Sequence, residues 1–283
     1  MSVFSELTVK AFSPEKNVTC YYRVMGDSGK PAIVIFPGYT GKHIDFLQIS
    51  EVLKQDYFII ILEYPGWWDS GRLSGQLTMH NYAVYAKMLI DTLGLRHATL
   101  FGHCVGSVVA CEFLYLYPDT AAQTMLVSTP YLNGTPGYKG FQLLAFLADK
   151  SPKRLRPLFF LWRARLFTVP IDFIVLRTDF RRKLARMKDH LIDQPLHPED
   201  AVEENWLSFI DFDFSKLRTI KKTVHIIHGA EDLFIPPVQA KRLQWLFPCA
   251  TLNFLPHAGH VPLIEAPEEL LGVVQRYLLT KTQ

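Results

Sequence analysis

The chain has 283 residues, 49% of them hydrophobic and 20% charged, with a formal net charge of +3. Such a chain can bury a substantial core, which excludes a disordered polymer. No apolar run approaches the roughly 20 residues that cross a bilayer, and Glu6 interrupts the N-terminal stretch where a secretory leader would be uniformly apolar.

Short β-branched and aromatic runs recur at 32–36, 57–62, 98–101, 124–128, 223–228 and 251–255, separated by helical-length segments. Strands this short and this continuously apolar fit a mostly parallel sheet covered on both faces by helices, an α/β architecture. Between the fourth and fifth runs the alternation lapses, and Gly134, Pro136, Gly137, Pro152, Pro157, Pro170, Pro195 and Pro198 punctuate aromatic pieces of helical character. The strand pattern then resumes. Residues 1–130 and 219–283 are therefore expected to form one core, with 131–218 an inserted, mainly helical cap.

Charge is segregated within that insertion. From Lys150 to Lys188 there are twelve Lys or Arg against Asp172 and Asp179, whereas Asp189 to Asp213 holds eight acids and no Lys or Arg. The run 154–167 mixes cations with large apolar side chains. It fits an amphipathic cap helix whose apolar side roofs an acyl pocket and whose cations meet an anionic carrier: the phosphates of coenzyme A, an acyl carrier protein, or a lipid surface. Nucleic acid is a poorer partner, because no recognition motif accompanies the charge.

The four cysteines, Cys20, Cys104, Cys111 and Cys249, lack paired or metal-type spacing, so free thiols in a cytoplasmic, reducing setting are expected. Cys104 stands apart from the others. In Leu100-Phe101-Gly102-His103-Cys104-Val105-Gly106-Ser107 it occupies the apex of a turn between a strand and a helix-compatible run, with glycines two before and two after it. A nucleophile at such an apex needs those neighbours to lack bulk. Downstream, Gly229-Ala230-Glu231-Asp232 follows the fifth run and Pro256-His257-Ala258-Gly259-His260 follows the sixth, so an acid and a histidine come to the same sheet edge as the thiol. Glu231 is the alternative acid. Cys111 reads as core, His103 as filler of the turn and Ser107 as part of the helix start. The pairs His225/His228 and His257/His260 lack a third ligand cluster, so no metal site is expected.

Together with Phe36-Pro37-Gly38-Tyr39 and Glu63-Tyr64-Pro65-Gly66, these segments, in this order, resemble the α/β-hydrolase fold superfamily over nearly the whole chain. The resemblance implies Cys104 as nucleophile, His260 as base, Asp232 as acid, and the backbone N–H groups of Tyr39 and Val105 as the oxyanion hole, with no cofactor. The chain departs from the usual pattern at Pro37 for histidine, Glu63 for aspartate and Cys104 for serine. A thiol would form a thioester intermediate open to water or to another acceptor. The expected activity is hydrolysis of an ester or thioester. The alternatives are acyl transfer from coenzyme A or a carrier protein, and an inactive ligand-binding relative.

Overall fold

The computed structural model describes residues 7–38, 43–131, 204–205 and 208–279. Eight strands form one sheet in the order β1-β2-β4-β3-β5-β6-β7-β8: β1 Thr8–Glu15, β2 Val18–Met25, β3 Ala32–Phe36, β4 Phe58–Leu62, β5 Ala98–His103, β6 Ala121–Val127, β7 Val224–Gly229 and β8 Ala250–Leu255. Strands β3 to β8 pair in parallel, while β1 and β2 pair antiparallel and β2 joins β4 antiparallel. The α/β reading stands. The N-terminal hairpin is an addition to it, closed by Lys16 and Asn17, the latter at φ 65°, a conformation asparagine tolerates.

Six helices are described: α1 Leu47–Leu53, α2 Met79–Thr92, α3 Val105–Leu116, α4 Pro237–Gln244, α5 Pro262–Glu265 and α6 Pro267–Leu279. The twofold alternation of strand side chains explains why both faces must be covered. Val34, Ile60, Leu100, Leu126 and Ile226 enter one core with Tyr82 and Ala86 of α2, Val108 of α3 and Leu243 of α4. Their neighbours Ile33, Ile59, Phe101, Met125 and Ile227 enter the other with Ile49 of α1 and Leu270 and Val274 of α6.

Strand β3 lies between β4 and β5, so the chain leaves β3 to one side and returns on the other. The crevice beyond the carboxyl ends of β3 and β5 is thus the switch point of the sheet, where open α/β sheets hold ligands. Most of the expected cap, including 154–167 and its expected carrier contacts, lies outside the described residues. Of that interval, 204–205 and 208–210 are helical and Phe214–Thr219 forms a 3-10 turn.

Candidate active site

Strand β5 ends at His103 and α3 begins at Val105, leaving Cys104 alone to reverse the chain at φ 50°, ψ −127°. Its N–H donates to Val127 O at 3.0 Å, and its carbonyl accepts the Ser107 N–H at 2.9 Å. The bend is tight enough to need both glycines. A Cβ on Gly106 would stand 2.0 Å from Phe36 O, and one on Gly102 would stand 2.6 Å from Ser107 Cα. Ser107 is fully buried, its hydroxyl donating to Val127 O at 3.2 Å, and Cys111 is core.

His260 arrives from the loop after β8. Its Nε2 is 3.3 Å from Cys104 Sγ, and its Nδ1 is 2.9 Å from Asp232 Oδ2. Because a carboxylate can only accept, Nδ1 carries the proton and Nε2 faces the sulfur. Asp232 is held in turn by the N–H groups of Phe234 and Ile235, each 2.8 Å from Oδ1. Glu231 is exposed, so Asp232, rather than its neighbour, meets the imidazole. Loop–loop contact makes this convergence possible. Gly229 lies so close to the second loop that a Cβ there would come within 2.1 Å of Gly259 O, and the Glu231 N–H donates to Ala258 O at 2.9 Å.

Burial acts to lower the His260 pKa, but its interactions with the Cys104 sulfur and the Asp232 carboxylate outweigh it and raise the value to about 10. Burial likewise pushes Asp232 upward, but the His260 hydrogen bond and charge reverse this, leaving its carboxyl below the ordinary value. The pair therefore favours an imidazolium against a carboxylate.

Three further side chains meet this cluster without having been singled out for it by motif. His103, the expected turn filler, is buried and donates from Nε2 to the His260 carbonyl at 3.1 Å. His228 is fully buried, donates from Nε2 to Ile235 O at 2.8 Å, and has the same nitrogen 3.5 Å from Asp232 Oδ2. Glu265 accepts the N–H groups of Gly259 and Val261, the latter at 2.9 Å. An acid four residues beyond Val261 in an apolar stretch was the available signal for it. Val105 begins α3 beside the thiol; Tyr39 lies outside the described residues. Glu63, in place of aspartate, accepts the Asp69 N–H at 2.9 Å and pairs with Arg23 at 3.7 Å, holding the loop after β4.

Next to Gly38 and Val105, an aromatic cavity is walled by Tyr64, Trp67, Trp68 and Tyr82. The Trp67 ring N–H donates to the Tyr82 hydroxyl at 2.6 Å, which satisfies a buried polar atom, and Asn205 adds a polar group to the same wall. A larger cavity of about 490 Å³ is lined by His80, Glu112, Asp211, Asp213 and Lys216 and touches none of Cys104, His260 and Asp232. Of the two, only the aromatic cavity adjoins the Cys104 turn. Among the described residues no cluster of three metal-ligating side chains occurs, and no helix is long and apolar enough to cross a membrane.

A 2-hydroxy-6-oxononadienedioate/2-hydroxy-6-oxononatrienedioate hydrolase of Burkholderia vietnamiensis is 27% identical, over 89% of this chain and 88% of its own length. A 2-hydroxy-6-oxo-6-phenylhexa-2,4-dienoate hydrolase of Rhodococcus sp. strain RHA1 superposes with a TM-score of 0.74 at 18% identity, covering 96% of this chain and 99% of that one. The enol-lactonase of Burkholderia xenovorans LB400 also gives 0.74 at 18% identity, covering 95% and 99%. The family model of the alpha/beta hydrolase fold matches residues 31–267, spanning every parallel strand and the Cys104, Asp232 and His260 loops: the chain belongs to the α/β-hydrolase fold family and is one of its enzymes.

Proposed function

We propose that the protein hydrolyses an ester or thioester through a covalent acyl-cysteine intermediate, with Cys104 as nucleophile, His260 as acid and base, and Asp232 as the group that orients and stabilises His260. The observation that carries this reading is the 3.3 Å approach of Nε2 to Sγ, with Asp232 2.9 Å behind the same ring. In the first half-reaction the sulfur attacks the acyl carbonyl, and the departing alkoxide or thiolate takes the Nε2 proton. In the second, His260 removes a proton from water, the hydroxide attacks the thioester, and the proton returns to sulfur as the carboxylic acid leaves.

The oxyanion formed in each step is assigned to the Val105 backbone N–H, at the N-terminus of α3 where the helix dipole favours negative charge, and, on the family resemblance, to that of Tyr39, which lies outside the described residues. One such donor contributes about 3 kcal/mol to the transition state. The aromatic rings beside Gly38 and Val105 favour an apolar part of the substrate, in a cavity that at about 20 Å³ admits only a small group. Relatives named as hydrolases favour water as the acceptor over acyl transfer.

Intact-mass measurement after incubation with activated esters and acyl-coenzyme A thioesters tests the reading. The expected result is an acyl adduct on Cys104 that decays by hydrolysis, and its absence from Cys104→Ala. Undiminished turnover by Cys104→Ala would overturn it.

A further inference from the structure

We propose that Glu265 is a positioning residue for His260, an inference that rests on Cys104, His260 and Asp232 being the catalytic set. Both carboxylate oxygens of Glu265 are used on the loop that carries the imidazole. Oε2 accepts the Gly259 N–H and Oε1 accepts the Val261 N–H at 2.9 Å, so the amides of the residues on either side of His260 hang from one side chain. The His260 carbonyl between them accepts from His103 Nε2 at 3.1 Å.

Asp232 alone does not fix the ring. One hydrogen bond at Nδ1 leaves the imidazole able to follow any movement of its own backbone, and Nε2 would then drift from the sulfur. Glu265 and His103 remove that freedom from opposite sides, the first by holding the flanking amides and the second by holding the carbonyl. The device is local and pre-formed. Val261 O accepts the N–H groups of Ile264 and Glu265 at 2.9 and 3.1 Å, so the turn folds its carboxylate back onto the loop it has just left. Two charge-assisted bonds, to the amides of Gly259 and Val261, suit a carboxylate and no neutral side chain, because glutamine has a single acceptor oxygen.

The test compares wild type with Glu265→Gln and follows Cys104 alkylation by iodoacetamide across pH, together with kcat and KM for an activated ester. A misplaced imidazole should lower the neutral-pH alkylation rate and kcat by about 10- to 100-fold. It should also move the alkylation profile toward that of the exposed Cys249, with KM little changed. A folded Glu265→Gln with wild-type rate and profile overturns the proposal and leaves the catalytic reading intact. A wild-type Cys104 no more reactive than Cys249 overturns the catalytic reading itself. Should Glu265→Gln not fold, amide hydrogen exchange of the wild type decides: strong protection of Gly259 and Val261 is expected, and exchange as fast as at exposed His257 overturns the proposal.

Discussion

Cysteine reactivity separates the four thiols by environment. Burial raises the Cys20 thiol to about 11 and drives the Cys111 thiol well above its ordinary value, while Cys249 is exposed. Brief treatment with iodoacetamide near neutral pH should therefore modify Cys104 first, at least tenfold faster than Cys249, as read by peptide mass mapping. Asp232 makes a sharper prediction. In Asp232→Asn the amide oxygen should stay with the Phe234 and Ile235 N–H groups, turning the amide nitrogen toward His260 Nδ1, so that Nδ1 becomes the acceptor and Nε2 carries the proton of the neutral ring. That tautomer cannot take a proton from the thiol. A loss of kcat of about 10⁴ with near-normal KM is expected from steady-state kinetics. The glycines around Cys104, and the loops that end in Asp232 and His260, are visible in the sequence because they are locally encoded. Glu265 shows there only as an acid in an apolar stretch and the place of His228 not at all, because their partners are brought near only by the folded loops.

The elbow is an element whose geometry tolerates no added bulk. Gly106→Ala would drive a methyl group into the carbonyls of Phe36 and Pro37, both backbone atoms of a central strand and its exit that cannot swing aside. A loss of about 3 kcal/mol or more is expected, measured by denaturant unfolding. Element boundaries show what apolar patterning can reveal. The five-residue runs of β3 and β4 are buried throughout and were legible; β1, with Lys10, Pro14 and Glu15 in a largely exposed strand, was not. An edge strand needs only its pairing with β2, so its composition is free to resemble a loop. Strand β6 begins at Ala121 rather than Thr124, because the sheet register with β5 recruits Ala121, Ala122 and Gln123, which lack the β-branched or aromatic side chains that mark a strand.

For the whole molecule, two buried histidines set the acid limit of stability. Burial lowers His225 to about 4, where its ring stacks on Tyr277 at 3.7 Å, and burial also lowers His228, with Asp232 opposing it. A folded-state pKa below the unfolded value means that the unfolded chain takes up protons first as pH falls below about 6.5. Stability should therefore drop as pH falls from 6.5 toward 4, by about 3 kcal/mol from His225 alone. Thermal or urea unfolding across that window should show the decline, and His225→Phe should blunt it. The pairing of β6 with β7 has a different kind of consequence. Residues 128–223 separate these neighbouring strands in sequence, and the entropy of closing a connection grows slowly with its length, by about 0.6 kcal/mol for each doubling. Lengthening that connection without disturbing the Phe209, Ile210 and Leu217 side chains it lends to the core would move the equilibrium of the sheet little while changing how long its two sections take to find each other, so variation in length there is restrained by assembly time more than by thermodynamics.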